Sequence, residues 1–316
     1  MTRNTFFSCY GAQLLFSLVI ICSLTIMGSS RQYQDKTLVA HRGASAYAPE
    51  HTLAAYQLAL TQGADFVEQD LGVTRDGVLV CLHDDSLERT TNVEEIFPDR
   101  YTTVLRSGKN YRRWLLRDFT LAEIKTLDAG SWFSEEFAGA TIPTWQEAIS
   151  LIRGQAGLFP ELKSPSAYEA AGIDMATLVL EVLRSNGLDE PATDPTTPVI
   201  IQSFDAASLR TIAAKQPLLP RVFLFGAQDP AAPISDKWLK EIAEFATGIG
   251  PAKSIISAQP KLVARAHTVG LSVTPYTFRS SSTEPFQNVE AEMWHFLFNL
   301  GVDALFTDNP DLFPRQ

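Results

Sequence analysis

The chain has 316 residues, of which 45% are hydrophobic and 20% charged, with a formal net charge of −10. This is the balance of a soluble globular protein with room for one large α/β barrel or two ordinary domains, and it excludes a disordered chain. Acidic throughout and without a basic run, the chain argues against nucleic acid or an anionic membrane as its partner.

The N-terminus differs from the rest. Arg3 is the only charge before Arg31, and the apolar run 14–27 is followed by Gly28-Ser29-Ser30. A charged start, an apolar middle and small residues predict a secretory signal peptide over residues 1–30, cut near Ser29 or Ser30, and an exported protein, periplasmic or extracellular. The alternative is a retained anchor, but the run is shorter than the ~20 residues a span needs. Cys22 follows the bulky Ile21 and makes no convincing lipoprotein site. Removing this leader takes away one arginine and moves the formal charge from −10 to −11. Cys9 and Cys22 leave with it, so the remaining Cys81 has no disulfide partner and no cysteine zinc site can form. Cys81 lies in an apolar strand and reads as core.

Residues 31–36 read as a linker to a single domain over 37–316. Short β-rich runs alternate there with amphipathic stretches, the sequence form of parallel βα units. Strands are predicted at 37–40, 66–71, 158–162, 199–203, 221–225, 247–250, 271–276 and 304–307. Helices are predicted at 53–61, 145–153, 167–185, 206–215, 236–245, 260–267 and 289–299. Eight strands suggest a closed (β/α)8 TIM-type barrel. A further strand, 78–82, would pair back through an Asp76-Gly77 turn. The charged and aromatic stretch from about 85 to 142 breaks the alternation and reads as an insertion after the second strand, either a wall of the site or a structural element. No internal repeat, Walker A loop, HExxH or GxSxG is present, and Gly248-Ile249-Gly250 is too truncated for a dinucleotide loop.

Polar residues gather where these strands run out. The first predicted strand ends in His41-Arg42-Gly43, the second carries Glu68-x-Asp70, the extra strand ends in His83-Asp84, and the third carries Glu161-x-Lys163. Side chains two apart on a strand share a face, so Glu68 and Asp70 are held close and need a cation or a proton between them. A hard divalent metal is the natural partner for oxygen donors.

These residues, with Pro49-Glu50-His51-Thr52, Gly63-Ala64-Asp65, Thr74-x-Asp76-Gly77 and Arg89-Thr90-Thr91, resemble the glycerophosphodiester phosphodiesterase family. The resemblance runs from about Thr37 to Leu312 and includes Glu161-Leu162-Lys163 and Thr307-Asp308-Asn309-Pro310. It implies a metal-dependent hydrolase that releases sn-glycerol 3-phosphate and an alcohol, on a TIM-type barrel, in the use of deacylated phospholipids. Glu68, Asp70 and Glu161 would hold one Mg²⁺ or Ca²⁺, and Arg42 and Lys163 would hold the phosphate. His41 and His83 would be the acid–base pair, with the order of roles left open. The family also suggests that the glycerol 2-hydroxyl attacks phosphorus. Glu50 would orient a histidine, approach the metal or cap the next helix. Phe204 and Tyr276 would form an aromatic wall beside glycerol. His267 and His295 read as structural or solvent-facing, and Asp303 and Asp308 as turn and strand-end residues. Two departures, His51 for the usual Asn and Tyr276 for a common Trp, bear on substrate fit. Alternatives are a phospholipase D-like enzyme on intact or lyso-phospholipid, which would want an exposed apolar rim, and a non-catalytic glycerophosphodiester-binding protein, which would have lost a histidine or a carboxylate.

Overall fold

The computed structural model describes residues 36–226 and 234–315. The predicted leader 1–30 and most of the linker 31–36 lie outside them. Eleven strands occur among the described residues, in chain order: β1 (Thr37–Ala40), β2 (Phe66–Val73), β3 (Leu79–Cys81), β4 (Thr102–Arg106), β5 (Lys109–Arg113), β6 (Gly157–Leu162), β7 (Ile201–Ser203), β8 (Arg221–Phe225), β9 (Gly248–Pro251), β10 (Ser272–Val273) and β11 (Ala304–Thr307). Eight of them, all parallel neighbours, run in the order β10-β9-β8-β7-β6-β2-β1-β11. The ends meet through the segment after β10: Asp303 N–H donates to Val273 O, Phe306 N–H to Pro275 O and Phe278 N–H to Phe306 O. This is the nearly closed (β/α)8 barrel read from the sequence.

The strands are buried on both faces, which is why they read as continuous apolar runs rather than as alternations. Inside the barrel a small plug of Val39, Phe159, Val222, Leu224 and Phe306 fills the lumen, with the Phe159 and Phe306 rings edge to face at 5.1 Å. Burying such side chains is worth about 1.5–3 kcal/mol each. Outside, a larger apolar layer joins the outward strand faces to the helices. Helices occur at Leu53–Thr61, Trp145–Ile152, Ala206–Lys215, Asp236–Ala243 and Leu262–Thr268, close to the predicted segments.

Two of three local differences have a clear physical cause. The predicted helix 167–185 is two, Pro165–Glu169 and Met175–Ser185. Gly172 at φ +81° ends the first turn, and Asp174 caps the second by accepting from Thr177 N–H at 2.9 Å, a stop and a start signal in succession. The predicted strand 271–276 shortens to Ser272–Val273 because Pro275 has no N–H for the ladder. A helix not predicted, Lys253–Ala258, follows β9.

The insertion lies between β2 and β6, the second and third barrel strands. β3 pairs antiparallel with β2, and the chain after it builds a separate apolar cluster around Leu87, Val93, Trp114, Leu116, Phe119 and Ile124. The β4–β5 hairpin projects from it with Leu105 71% exposed. No helix among the described residues is long and apolar enough to cross a membrane.

Candidate active site

At the C-terminal ends of the barrel strands a cavity of about 230 Å³ gathers most of the predicted site: His41, Arg42, Glu68, Asp70, His83, Glu161, Lys163, Phe204 and Tyr276 all line it. Ladder register explains the carboxylates. Asp70 on β2 stands opposite Glu161 on β6, and Glu161 opposite Gln202 on β7, so three strands aim polar groups at one level of the barrel. Glu68, Asp70 and Glu161 each offer an oxygen, all within 4.8 Å of one another, and all three residues are buried.

The electrostatics of this cluster are divided. Burial, then Asp70 and Glu161, push the Glu68 carboxyl well above the ordinary carboxylate range. Burial pushes Glu161 up to about 8, with Asp70 adding and Lys163 opposing. For Asp70, burial is outweighed by Lys163, His51 and Arg42, and its pKa falls well below the usual value. The metal-free cluster thus holds protons that a cation would displace. The donor set is oxygen only, and Asp70 Oδ1 has no hydrogen-bond partner among the described residues. These residues fit a hard divalent cation.

Tight backbone turns bring cations to the same place. Arg42 sits at φ +57° and Gly43 at φ +84°; a Cβ on Gly43 would lie 2.7 Å from the carbonyl carbon of Ala55, so the loop closes on helix Leu53–Thr61 only with glycine there. In that turn the Arg42 backbone N–H donates to Glu68 Oε2 at 2.9 Å. Gln202 Nε2 donates to Glu68 Oε1, also at 2.9 Å. Lys163 Nζ lies 3.0 Å from Glu161 Oε1.

The two histidines are each held by a carboxylate. His41 Nδ1–H donates to Asp308 Oδ1 at 2.6 Å, and its Nε2 stands 3.7 Å from Glu68. His83 Nδ1–H donates to Asp84 Oδ1, also at 2.6 Å, and Arg89 clamps Asp84 from the other side at 2.6 Å. Burial, then the charge of Arg42, lowers the His41 pKa despite Asp308. In each pair the bonded Nδ1–H leaves Nε2 free for a proton in transit.

Several expectations change. Glu50 neither orients a histidine nor lines the cavity: it accepts from Arg42 at 2.9 Å and from Arg89 at 2.7 Å. Burial is outweighed by those guanidinium groups, Arg89 first, and its pKa falls to about 2. A carboxylate in that company supports Arg42 and does not itself meet an anion. Asp308, read as a strand-end residue, holds His41 across 267 residues of sequence. His51, read as a matter of substrate fit, lies behind Asp70, with Nε2 2.7 Å from Asp70 Oδ2. The insertion 85–142 puts no residue in the cavity lining and reaches the site through Arg89. Gln202 and Arg279 line the cavity and were not predicted; the only sequence signal was the place of Gln202 near the end of the fourth predicted strand. Phe204 and Tyr276 pack edge to face at 5.9 Å on one wall. His267 is exposed and pairs with Asp303 at 2.8 Å, away from this cavity.

A parallel barrel that gathers carboxylates, cations and two histidines at the mouth of its strands defines a class: barrel enzymes that act on phosphate esters. A profile of the glycerophosphoryl diester phosphodiesterase family matches residues 41–312, and the chain belongs to that family. It is 37% identical to a glycerophosphodiester phosphodiesterase of Bacillus subtilis over 285 residues, covering 88% of this chain and 85% of that one. It is 30% identical to one from Haemophilus influenzae, with 90% of each chain covered. Among solved structures, an Oleispira antarctica phosphodiesterase in complex with the product sn-glycerol-3-phosphate superposes with a TM-score of 0.67 at 30% identity, covering 87% of this chain and 94% of that one.

Proposed function

We propose that this chain hydrolyses glycerophosphodiesters to sn-glycerol 3-phosphate and an alcohol. The observation that carries the reading is a buried three-carboxylate cluster sharing one cavity with two histidines, each held by a carboxylate. Glu68, Asp70 and Glu161 would hold one divalent cation, Mg²⁺ or Ca²⁺, which when bound supplies charge neutralisation on a phosphodiester oxygen. Arg42 and Lys163 hold the other phosphate oxygens, and Phe204 and Tyr276 border the glycerol.

The two histidines divide the proton work. His41 is buried, beside Arg42, and kept neutral with its Nε2 bare, which suits a base. His83 stands at the mouth with its side chain 34% exposed, on the side where an alcohol can leave, which suits an acid. The glycerol 2-hydroxyl oxygen attacks phosphorus and its proton passes to His41 Nε2. The bond from phosphorus to the alcohol oxygen breaks, and that oxygen takes a proton from His83 Nε2. Water then opens the cyclic phosphate with the roles reversed, its proton going to His83 while His41 returns one to the 2-oxygen. An internal nucleophile avoids much of the entropy of capturing water, an advantage reaching about 7–11 kcal/mol in well-oriented systems. It also suits a site with no serine or cysteine among the described residues of its lining. The apolar leader read in residues 1–30 supports work outside the cytoplasm, on deacylated phospholipid.

The test is glycerophosphocholine with Mg²⁺ or Ca²⁺, product coupled to glycerol-3-phosphate dehydrogenase. Turnover should vanish with EDTA and return with the cation; full activity after exhaustive chelation removes the metal from the account. A 2-deoxyglycerol analogue turned over at equal kcat would replace internal attack with direct attack by water.

A further inference from the structure

His51 is the one histidine near the cavity that the mechanism leaves unused. It is 2% exposed and sits at φ +58°, a left-handed conformation that costs a non-glycine residue energy. Both ring nitrogens are engaged. Nδ1 is 2.9 Å from the Tyr56 hydroxyl on helix Leu53–Thr61, and Nε2 is 2.7 Å from Asp70 Oδ2. An ionised Asp70 can only accept, so Nε2 carries the proton and Nδ1 accepts from the Tyr56 O–H. Tyr56 therefore fixes the tautomer, and the helix behind it fixes the ring.

The consequence falls on Asp70. Its Oδ2 takes the His51 hydrogen bond and lies 3.5 Å from Arg42 Nε. Its Oδ1 has no hydrogen-bond partner among the described residues and stands 3.9 Å from Lys163 Nζ. A carboxylate on a strand can rotate about its last bond; pinning one oxygen from behind chooses which oxygen the cluster presents.

We propose that His51 is a positioning residue for the metal site: relayed by Tyr56, it holds Oδ2 of Asp70 and so leaves Oδ1 as the oxygen offered to the cation. This rests on the reading of Glu68, Asp70 and Glu161 as metal ligands. It accounts for a strained, fully buried histidine that no substrate atom can reach.

The experiment is direct titration of the purified, substrate-free protein with Mg²⁺ and with Ca²⁺ by calorimetry, beside the melting temperature and near-UV circular dichroism of each metal-free variant. His51→Gly tolerates the positive φ and removes the ring; His51→Gln places an amide N–H near the position of Nε2; Tyr56→Phe leaves residue 51 in place and removes the relay. Loss of such supporting hydrogen bonds costs metal affinity about 10–100-fold, and that is the loss expected for His51→Gly. His51→Gln should recover most of it, and Tyr56→Phe should fall between. An unchanged affinity in a folded His51→Gly overturns the proposal, and so does a folded His51→Gln as weak as His51→Gly. Should His51→Gly not fold, an unchanged affinity in Tyr56→Phe overturns it equally. A wild-type protein that binds neither cation defeats the metal reading itself, a different result from variants that bind as well as wild type.

Discussion

The two histidine–carboxylate pairs have the same 2.6 Å bond and opposite surroundings. His41 and Asp308 join the ends of β1 and β11, neighbouring strands of the barrel, and His41 is 8% exposed. His83 and Asp84 follow β3, outside the barrel ring, and are steadied by Arg89, whose other partner is Glu50. The first pair is built into the scaffold and shares its dielectric; the second is a surface device held by exchangeable ion pairs. A base that must stay neutral beside a phosphate benefits from burial, whereas an acid that hands its proton to a departing alcohol needs an open side. On the proposed mechanism, the difference between the pairs is a division of labour.

The largest effects should come from removing the rings. His41→Ala and His83→Ala should each lower kcat by ~10²–10⁴-fold, the usual worth of a general acid or base. Metal affinity should hardly move, since neither ring is assigned as a ligand; the melting temperature should fall for His41→Ala, whose buried ring holds Asp308, and stay nearly level for His83→Ala. A variant that keeps more than about half of the wild-type kcat marks its histidine as structural.

The carboxylates behind the rings separate the two halves. Hydrogen bonds to charged groups contribute about 1.5–3 kcal/mol, or roughly 10- to 100-fold in rate. Asp308→Asn should lie at the top of that range, because in a buried site nothing replaces the lost charge. Asp84→Asn should lie at the bottom, because water reaches the His83 pair and screens it. Steady-state kcat for the two variants decides this, and equal losses would erase the contrast between scaffold and mouth.

A smaller effect concerns pH and the buried carboxylate cluster. Glu161 has a folded pKa of about 8 in the metal-free protein, above its unfolded value of ~4.3. The folded state holds the extra proton, so this contribution is fully present below the unfolded value and is lost as pH rises through about 8. Metal-free melting temperature should accordingly decline over that window, and Glu161→Gln, which cannot titrate, should flatten the decline. An identical slope in the variant would show that Glu161 is not the group responsible.

How much of this was legible in the sequence follows the same division. Residues that chemistry places at a strand end within one segment, His41, Glu68, Asp70 and His83, were readable because strand periodicity and local order suffice for them. Glu161 and Lys163 were readable because the same two-residue spacing recurs on a later strand. Partners brought in by barrel closure were not. Asp308 meets His41 only because β11 returns beside β1, and Gln202 meets Glu68 across 134 residues. Glu50 was misread because nothing local tells that Arg89, 39 residues on, will fold back onto it. The eight barrel strands were legible from their apolar runs. The break at Gly172 and Asp174 was written in stop and start signals that the longer amphipathic pattern overrode.

The division of labour is tested most directly by making the leaving group easy. A glycerophosphodiester whose alcohol is p-nitrophenol departs without a proton, so an enzyme lacking its general acid should be largely relieved while one lacking its base should not. Comparing kcat on glycerophosphocholine and on glycerophospho-p-nitrophenol, His83→Ala should recover most of its lost rate on the activated ester, and His41→Ala should stay as impaired as before. Recovery of His41→Ala with none for His83→Ala would reverse the two roles, and equal behaviour of the two variants would contradict the division altogether.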